Sequence, residues 1–115
     1  MIDFQQPRAL DLVGSPVEVA GQSVVFEANI EWRATLAGAV AEGFFTGGGS
    51  VAVRQFQSSL DLTPLLSVDP SKGAEVQISL FSTSAQDGSV QDLVTVPVIL
   101  GDRLVSNFEG WQPRT

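Results

Sequence analysis

The sequence predicts an all-β protein, an antiparallel β-sandwich of about seven to eight strands. Apolar and polar residues alternate with a period of two over several segments, which places successive side chains on opposite faces of a sheet. Turn-forming residues separate these segments at short intervals, and no segment carries the apolar stripe of an amphipathic helix. Many short strands divided by turns in a chain of 115 residues are typical of a two-layer sandwich.

Two short candidate strands precede the clearest alternation in the chain. We predict them over Arg8–Val13 and Pro16–Ala20. Every even position from Val24 to Leu36 is then apolar, and the odd positions from Glu27 on are polar. That pattern predicts one long half-buried strand, because a helix would scatter the same apolar residues around its circumference. The side chains expected to face the core include Phe26, Ile30 and Trp32.

Glycines divide the middle of the chain. Gly38 can adopt a positive φ and predicts a turn into a second strand over Val40–Thr46, which completes a hairpin. The run Gly47–Gly49 predicts a flexible loop between strands rather than a phosphate-binding loop, because the spacing and lysine of such loops are missing. The segment Val51–Leu62 changes phase near Arg54–Gln55, which predicts a bulge or bend.

The last part of the chain predicts two further strands. A loop rich in turn residues over Ser67–Gly73 leads into a strand over Ala74–Ser82. Gln86–Gly88 contains an Asp-Gly pair, which favours a tight hairpin connection to Val90–Leu100. Pro97 lies inside that last strand and therefore predicts a sheet edge or a bulge, because proline cannot donate a ladder hydrogen bond.

Charge and composition exclude several classes of function. The chain has 6 basic and 13 acidic side chains, a formal net charge of -7, and neither cysteine nor histidine. Nucleic acids and anionic membrane surfaces both attract clusters of Lys and Arg, which are missing. The absent residue types remove thiolate and histidine metal sites and Ser-His-Asp catalysis. We therefore expect no cofactor, no metal and no nucleic-acid partner.

The same reading predicts neither membrane insertion nor an export signal in the chain as given. No apolar run approaches the roughly 20 residues of a spanning helix. The first residues lack the basic and apolar regions of a signal peptide.

Local clusters of reactive residues favour structural roles over catalysis. Asp87 and Asp92 lack the spaced oxygen ligands of a calcium loop and predict a hairpin turn instead. Ser71 and Lys72 are adjacent in a turn, which does not provide the buried lysine that a Ser-Lys dyad requires. Glu27 and Glu31 lie on an exposed face without the cleft that glycosidase chemistry needs. We expect no enzymatic activity.

The order of the motifs is similar to that of a known family. Ser15-Pro16-x-x-Val19-x-Gly21 is followed by Val25–Asn29, and Val94–Val98 closes the pattern as Val-Thr-Val-Pro-Val. Over about residues 10–101 this resembles the immunoglobulin-like domain of bacterial spore germination, a family often linked to GerMN domains. The resemblance implies an immunoglobulin-like sandwich in an extracytoplasmic or cell-envelope setting, with no catalytic residues to carry over. We expect a single domain over residues 1–115, with residues 102–115 as a tail.

The expected function is a non-catalytic interaction module of a bacterial envelope or sporulation- and germination-associated protein, acting by protein–protein binding. Alternation places four polar residues on one outward face, and adjacent Phe44 and Phe45 must face opposite ways. Trp111 in the tail either folds back over these rings or meets a partner. The candidate interaction surface comprises Glu27, Asn29, Glu31, Arg33, Phe44, Phe45 and Trp111.

Two alternatives stay open from the sequence. A carbohydrate-binding module for cell-wall glycan needs exposed coplanar aromatic rings, for which the chain offers five candidates: Phe44, Phe45, Phe81, Phe108 and Trp111. A small inhibitor or accessory protein would act through an exposed loop such as Thr63–Gly73. Sheet edges also allow a weak homo-oligomer, and Pro97 would block one of those edges.

Overall fold

The computed structural model describes residues 1–101 and contains two β-sheets joined by turns and short helical segments. A four-residue helix, α1 (Thr63–Leu66), and two 3-10 turns (Phe26–Ala28 and Pro70–Lys72) lie between strands. The strands are β1 (Ile2–Gln6), β2 (Leu12–Val13), β3 (Val17–Ser23), β4 (Asn29–Leu36), β5 (Ala39–Thr46), β6 (Arg54–Leu60), β7 (Glu75–Thr83) and β8 (Val90–Leu100).

The strands form a smaller sheet of order β1-β3-β6 and a larger sheet of order β2-β8-β7-β4-β5. All pairs are antiparallel except β2 with β8, which is parallel over two residues of each strand. The chain crosses between the sheets after β1, β2, β3, β5 and β6, while β4–β5 and β7–β8 are hairpins within the larger sheet. These connections make the immunoglobulin-like sandwich that the sequence predicted.

The core lies between the two sheets and is filled by alternate side chains of both. The prediction for β4 is confirmed from Asn29 on, since Ile30 is fully buried and Trp32 is 8 % exposed. Both sheets contribute to one continuous cluster whose central members are Val19, Ile30, Phe56, Leu60, Val76, Ile78, Leu80 and Val98. The alternation of burial along β3, β4 and β7 therefore fixes which face of each sheet remains outside.

The first strand was not predicted. β1 pairs with β3 along the edge of the smaller sheet, and Ile2 and Phe4 pack against the core. The predicted strand over Arg8–Val13 shrinks to Leu12–Val13, because Leu10 has a φ of +67° and Asp11 closes a turn onto the backbone of Arg8.

The expectation that Phe26 faces the core was wrong. Glu27 and Ala28 have φ values of +55° and +53°, so the chain turns before β4 begins at Asn29. The turn changes the phase of the side chains: Val25 is buried, and Phe26 is 64 % exposed. A period-two pattern does not reveal this break, since it records which positions are apolar and not where φ becomes positive.

The glycine loop and the start of β6 also differ from the prediction. Val51 is 94 % exposed and lies outside any strand, so the change of phase reflects a strand that begins at Arg54 rather than a bulge within one. Gly49 is bonded to the end of β3, because its N–H donates to the Ser23 carbonyl and its carbonyl accepts from the Val25 N–H, each at 2.9 Å. The loop is therefore tied to the neighbouring strand.

The tight turn predicted between β4 and β5 is present, whereas the β7–β8 connection, also predicted to be tight, spans residues 84–89. Ala37 and Gly38 have φ values of +50° and +88° and connect β4 to β5 in two residues, the backbone that a tight hairpin requires. Gly88 has a φ of +74° in the β7–β8 connection. Pro97 lies where β8 is about to meet β2, and its carbonyl accepts from the Leu10 N–H at 2.7 Å.

Candidate functional site

Register places a row of three large side chains across the outer face of the larger sheet. Glu31 on β4 lies opposite Phe44 on β5 and opposite Phe81 on β7. Directly opposed residues of antiparallel strands project from the same face, and Trp32, the next residue of β4, is buried in the core. The carboxylate of Glu31 therefore stands on the outer face, between two phenylalanine positions on neighbouring strands.

The next row along β4 carries the charged pair of this face. Arg33 lies opposite Glu42, and its Nε donates to Glu42 Oε2 at 3.2 Å. The guanidinium carbon of Arg33 lies 5.8 Å from the centroid of the Phe81 ring, within the range of a cation–π contact. Both partners of the ion pair are more than half exposed, so the pair orients Arg33 more than it stabilises the fold.

These two rows surround a shallow depression of about 520 Å³. We call Glu31, Arg33, Glu42, Phe44 and Phe81 the outer patch. Further residues that line the depression come from the ends of the strands, namely Asn29, Thr83 and Val90. The depression opens on a regular sheet face rather than on a loop, so its shape is set by strand pairing.

The outer patch combines an exposed ring with a buried acceptor. Phe44 is 70 % exposed, whereas Phe81 is 8 % exposed under its neighbours. Glu31 Oε2 is shielded from solvent and has no hydrogen-bond partner. A buried carboxylate oxygen without a donor is costly, because the water it has lost is not replaced.

The structure brings together four of the residues singled out from the sequence. Asn29, Glu31 and Arg33 share the outer face as alternation predicted, and Phe44 joins them through the pairing of β5 with β4. Phe45 faces the other way, as expected for a neighbour of Phe44.

Two others, Phe45 and Glu27, lie elsewhere. The ring of Phe45 packs against the core with its centroid 5.7 Å from that of Phe56, so this residue does not belong to the outer surface. Glu27 is exposed in the turn before β4, where it lines a separate depression with Phe26 and Ser84. Trp111 lies outside the described residues.

Sequence reasoning did not assign Phe81 and Glu42 to this surface. Phe81 lies in a stretch of β7 where Leu80, Phe81 and Ser82 are all buried, since the register with β8 shifts between Leu80 and Ser82. Glu42 reaches the patch only through its pairing with Arg33. Alternation within one strand gives the face on which each residue lies but not its neighbours on other strands, because those depend on the register between strands.

Two carboxyl groups with lowered pKa values, those of Asp61 and Asp87, lie at turns. The hydroxyl of Thr63, followed by its backbone N–H, donates to Asp61 and lowers the pKa of that carboxyl. The backbone N–H of Ser89 is the main cause of the lowered pKa of Asp87. Both aspartates thus serve as local turn caps.

The β7–β8 connection has the geometry of a hairpin turn. Asp87 accepts from the Ser89 N–H at 2.9 Å, while Asp92 accepts from the Ser82 hydroxyl at 3.1 Å, so the two aspartates have separate partners. Within residues 1–101, no group of three or more acidic side chains is placed to hold a metal ion.

A family model matches most of the chain. Residues 1–89 match the model described as the immunoglobulin-like domain of bacterial spore germination. The match begins at Met1, earlier than Leu10, where the sequence motifs placed the start of the resemblance. It ends at Ser89, before the Val94–Val98 segment. No curated protein and no solved structure matches the chain at a significant level. Among residues 1–101, no helix is long and apolar enough to cross a membrane.

Proposed function

The chain belongs to the immunoglobulin-like domain family of bacterial spore germination, and we propose that it is a non-catalytic module that binds another protein through the outer patch. Domains of this family are generally non-catalytic. The proposed setting is extracytoplasmic, in the cell envelope or the spore, and the proposed partner is another protein or domain of that compartment. The net charge of -7 supports a protein partner over nucleic acid.

The observation that carries this proposal is the exposure of Phe44 beside a depression on a regular sheet face. A ring that is 70 % exposed at a strand interior contributes nothing to the core. Aromatic side chains dominate binding energy at protein interfaces because each buries a large rigid area. The surrounding Arg33 and Glu42 provide the polar rim that such an anchor usually has.

Site-specific photo-crosslinking tests the proposal in the native bacterium. A benzophenone amino acid replaces Phe44 in the full chain, and a matched probe replaces Glu18, which is exposed on the central strand of the smaller sheet. We expect a discrete protein adduct from the Phe44 position and none from the Glu18 position. A Glu31→Lys substitution, which reverses the charge directly opposite the probe, should remove the adduct. Equal adducts from both positions, or none from the Phe44 position, would overturn the proposal.

The described residues give less support to a glycan-binding platform. Phe45 and Phe81, two of the rings that such a platform required, are packed against the core or beneath Arg33. The strongly exposed rings within residues 1–101 are Phe26 and Phe44, which lie on different elements. Retention of the full chain on peptidoglycan or glucan resin, lost with Phe44→Ala, would favour the glycan alternative.

The segment Thr63–Gly73 is also a weaker candidate than the outer patch. Leu65 in α1 is fully buried, and α1 packs against β5. The segment is held locally, since Asp69 accepts from the Ser71 N–H at 2.9 Å. A partly buried connection of this kind presents less surface to a target enzyme than the protruding loop the alternative assumed.

A further inference from the structure

We propose that the outer patch receives a basic side chain of the protein partner, an arginine or a lysine, whose N–H donates to the carboxylate of Glu31. This inference rests on the proposed function, since it specifies the chemistry that the same surface recognises. Three independent features of the patch carry it: an acceptor without a donor, an apolar surface beside it and an excess of negative charge.

The acceptor is the first feature. Glu31 Oε2 is buried and unpartnered, although the patch contains a cation of its own. Arg33 does not meet this need, because its Nε donates to Glu42 and its guanidinium lies over Phe81. A donor supplied from outside would satisfy the carboxylate once the Glu31 side chain turns Oε2 toward the depression, and a charged donor makes a stronger hydrogen bond to a carboxylate than a neutral one.

The apolar surface is the second feature. Phe44 lies directly across from Glu31, and its exposed ring borders the depression. Arginine and lysine combine a cationic head with an apolar stem that packs along such rings. A depression of about 520 Å³ has room for one such side chain. The stem would lie on Phe44 while the head reaches Glu31.

The charge is the third feature. The outer patch contains two carboxylates and one guanidinium, and the whole chain is acidic. An acidic partner would be repelled by this surface, whereas a basic one would be attracted over a distance of about 8 Å at physiological salt. The charge therefore selects the same partner chemistry as the unpartnered oxygen.

Two capped peptides that differ in one functional group provide the first test. The ¹⁵N-labelled full chain is titrated with acetyl-Leu-Arg-Leu-amide and with the same peptide carrying citrulline, which keeps the shape of arginine but replaces one NH₂ with a carbonyl oxygen and so loses the charge and part of the donor set. We expect saturable shifts of the amides of Glu31, Arg33, Phe44 and Phe81 with the arginine peptide, and binding about tenfold weaker with citrulline. Equal binding of both peptides, or shifts confined to other residues, would overturn the inference.

Matched substitutions locate the effect. Glu31→Gln keeps the shape of the side chain and should weaken the arginine peptide about tenfold. Glu18→Gln makes the same charge change on the smaller sheet, where Glu18 is exposed, and should leave binding unchanged. If both substitutions weaken binding equally, the peptide responds to the overall charge alone and the inference falls. Thermal melts of both variants establish that they are folded.

Two further outcomes separate this inference from the proposed function. Chitotetraose that shifts the same amides as strongly as the arginine peptide would assign the patch to a glycan and overturn the inference. A photo-crosslink from the Phe44 position, together with no preference for arginine over citrulline, would retain the proposed function and remove the basic side chain from it. Arginine-selective binding that Glu31→Gln weakens, together with a crosslink from the Phe44 position, supports both the proposed function and the inference.

Discussion

Trp32 packs against a residue that has no side chain. Its indole lies over Gly43 on β5, and a Cβ at Gly43 would approach Trp32 Nε1 to 2.9 Å. The glycine thus leaves room on the inner face of the sheet for the largest side chain of the core. Adjacent to it, on the outer face, the same stretch of β5 carries Glu42 and Phe44.

Trp32→Ala should lower the free energy of unfolding by roughly 3–5 kcal/mol, because it empties a large buried aromatic site. Urea denaturation measures the change. Phe44→Ala is the matched control and should change stability by about 0.5 kcal/mol or less, since the ring is exposed. A loss below about 1 kcal/mol for Trp32→Ala would show that Trp32 does not belong to the core.

Glu31→Gln should leave the free protein as stable as before, or raise its free energy of unfolding by up to about 1 kcal/mol. The reason is that Glu31 Oε2 has no donor to lose and the amide is cheaper to desolvate than a carboxylate. Urea denaturation again provides the measurement, with Glu42→Gln as a comparison that breaks an exposed ion pair. A clear loss of stability for Glu31→Gln would indicate that the fold itself depends on the charge.

At the scale of elements, the β4–β5 hairpin uses an unfavourable residue in its turn. Ala37 adopts a φ of +50°, a conformation that Asn tolerates better than Ala. Ala37→Asn should therefore raise the free energy of unfolding by about 0.5 kcal/mol, as the change gives the Asn-Gly pair that such turns favour. Gly38→Ala should lower it by about 1 kcal/mol, because Gly38 has a φ of +88°. A lower melting temperature for Ala37→Asn, or a higher one for Gly38→Ala, would contradict the turn geometry.

Alternation predicted the elements whose pattern is continuous. The buried positions of β4 and β7 follow from period two, since Ile30, Val76 and Ile78 each lie between polar neighbours. The turn before β4 was missed because a positive φ at Glu27 has no signature in a residue that also fits a strand. β1 was missed because its five residues are stabilised by pairing with distant β3.

For the candidate site too, sequence reasoning predicted what depends on a single strand and missed what depends on pairing between strands. One strand places Asn29, Glu31 and Arg33 on a common face, and sequence reasoning could derive that face from local geometry. The contribution of Phe81 depends on pairing between β4 and β7, which are far apart in the chain. Such non-local register is not encoded in the alternation of a single segment.

At the scale of the whole molecule, stability should fall in acid. Asp61 and Asp87 have pKa values lowered below 3.8 by hydrogen bonds to their carboxylates. Their contribution to the free energy of unfolding is therefore complete above the carboxyl pKa of the unfolded chain. It is lost as the pH falls through the lower carboxyl pKa of the folded protein. Urea midpoints measured from about pH 5 to about pH 2.5 should decrease, and Asp61→Asn with Asp87→Asn should flatten part of that decrease. If the urea midpoint of the Asn variants fell with pH as steeply as that of the unsubstituted chain, these two turns would not contribute.

The sheet edges make weak self-association a remaining prediction. β6 lies at the edge of the smaller sheet and contains neither proline nor lysine, the residues that commonly protect an edge. Sedimentation velocity over a range of concentrations should show a mass that rises modestly, and Gln55→Lys should suppress the rise. A mass that stays monomeric at every concentration would contradict the prediction.

The outer patch is divided between strands of unequal protection. Glu31 and Phe81 lie on β4 and β7, which have neighbours on both sides, whereas Glu42 and Phe44 lie on β5, the terminal strand of its sheet. Fraying of β5 alone would dismantle the binding surface while the core stays folded. A partner bound to the outer patch would oppose this local opening of β5. The amides of β5 should therefore exchange with solvent more slowly in the complex than in the free protein.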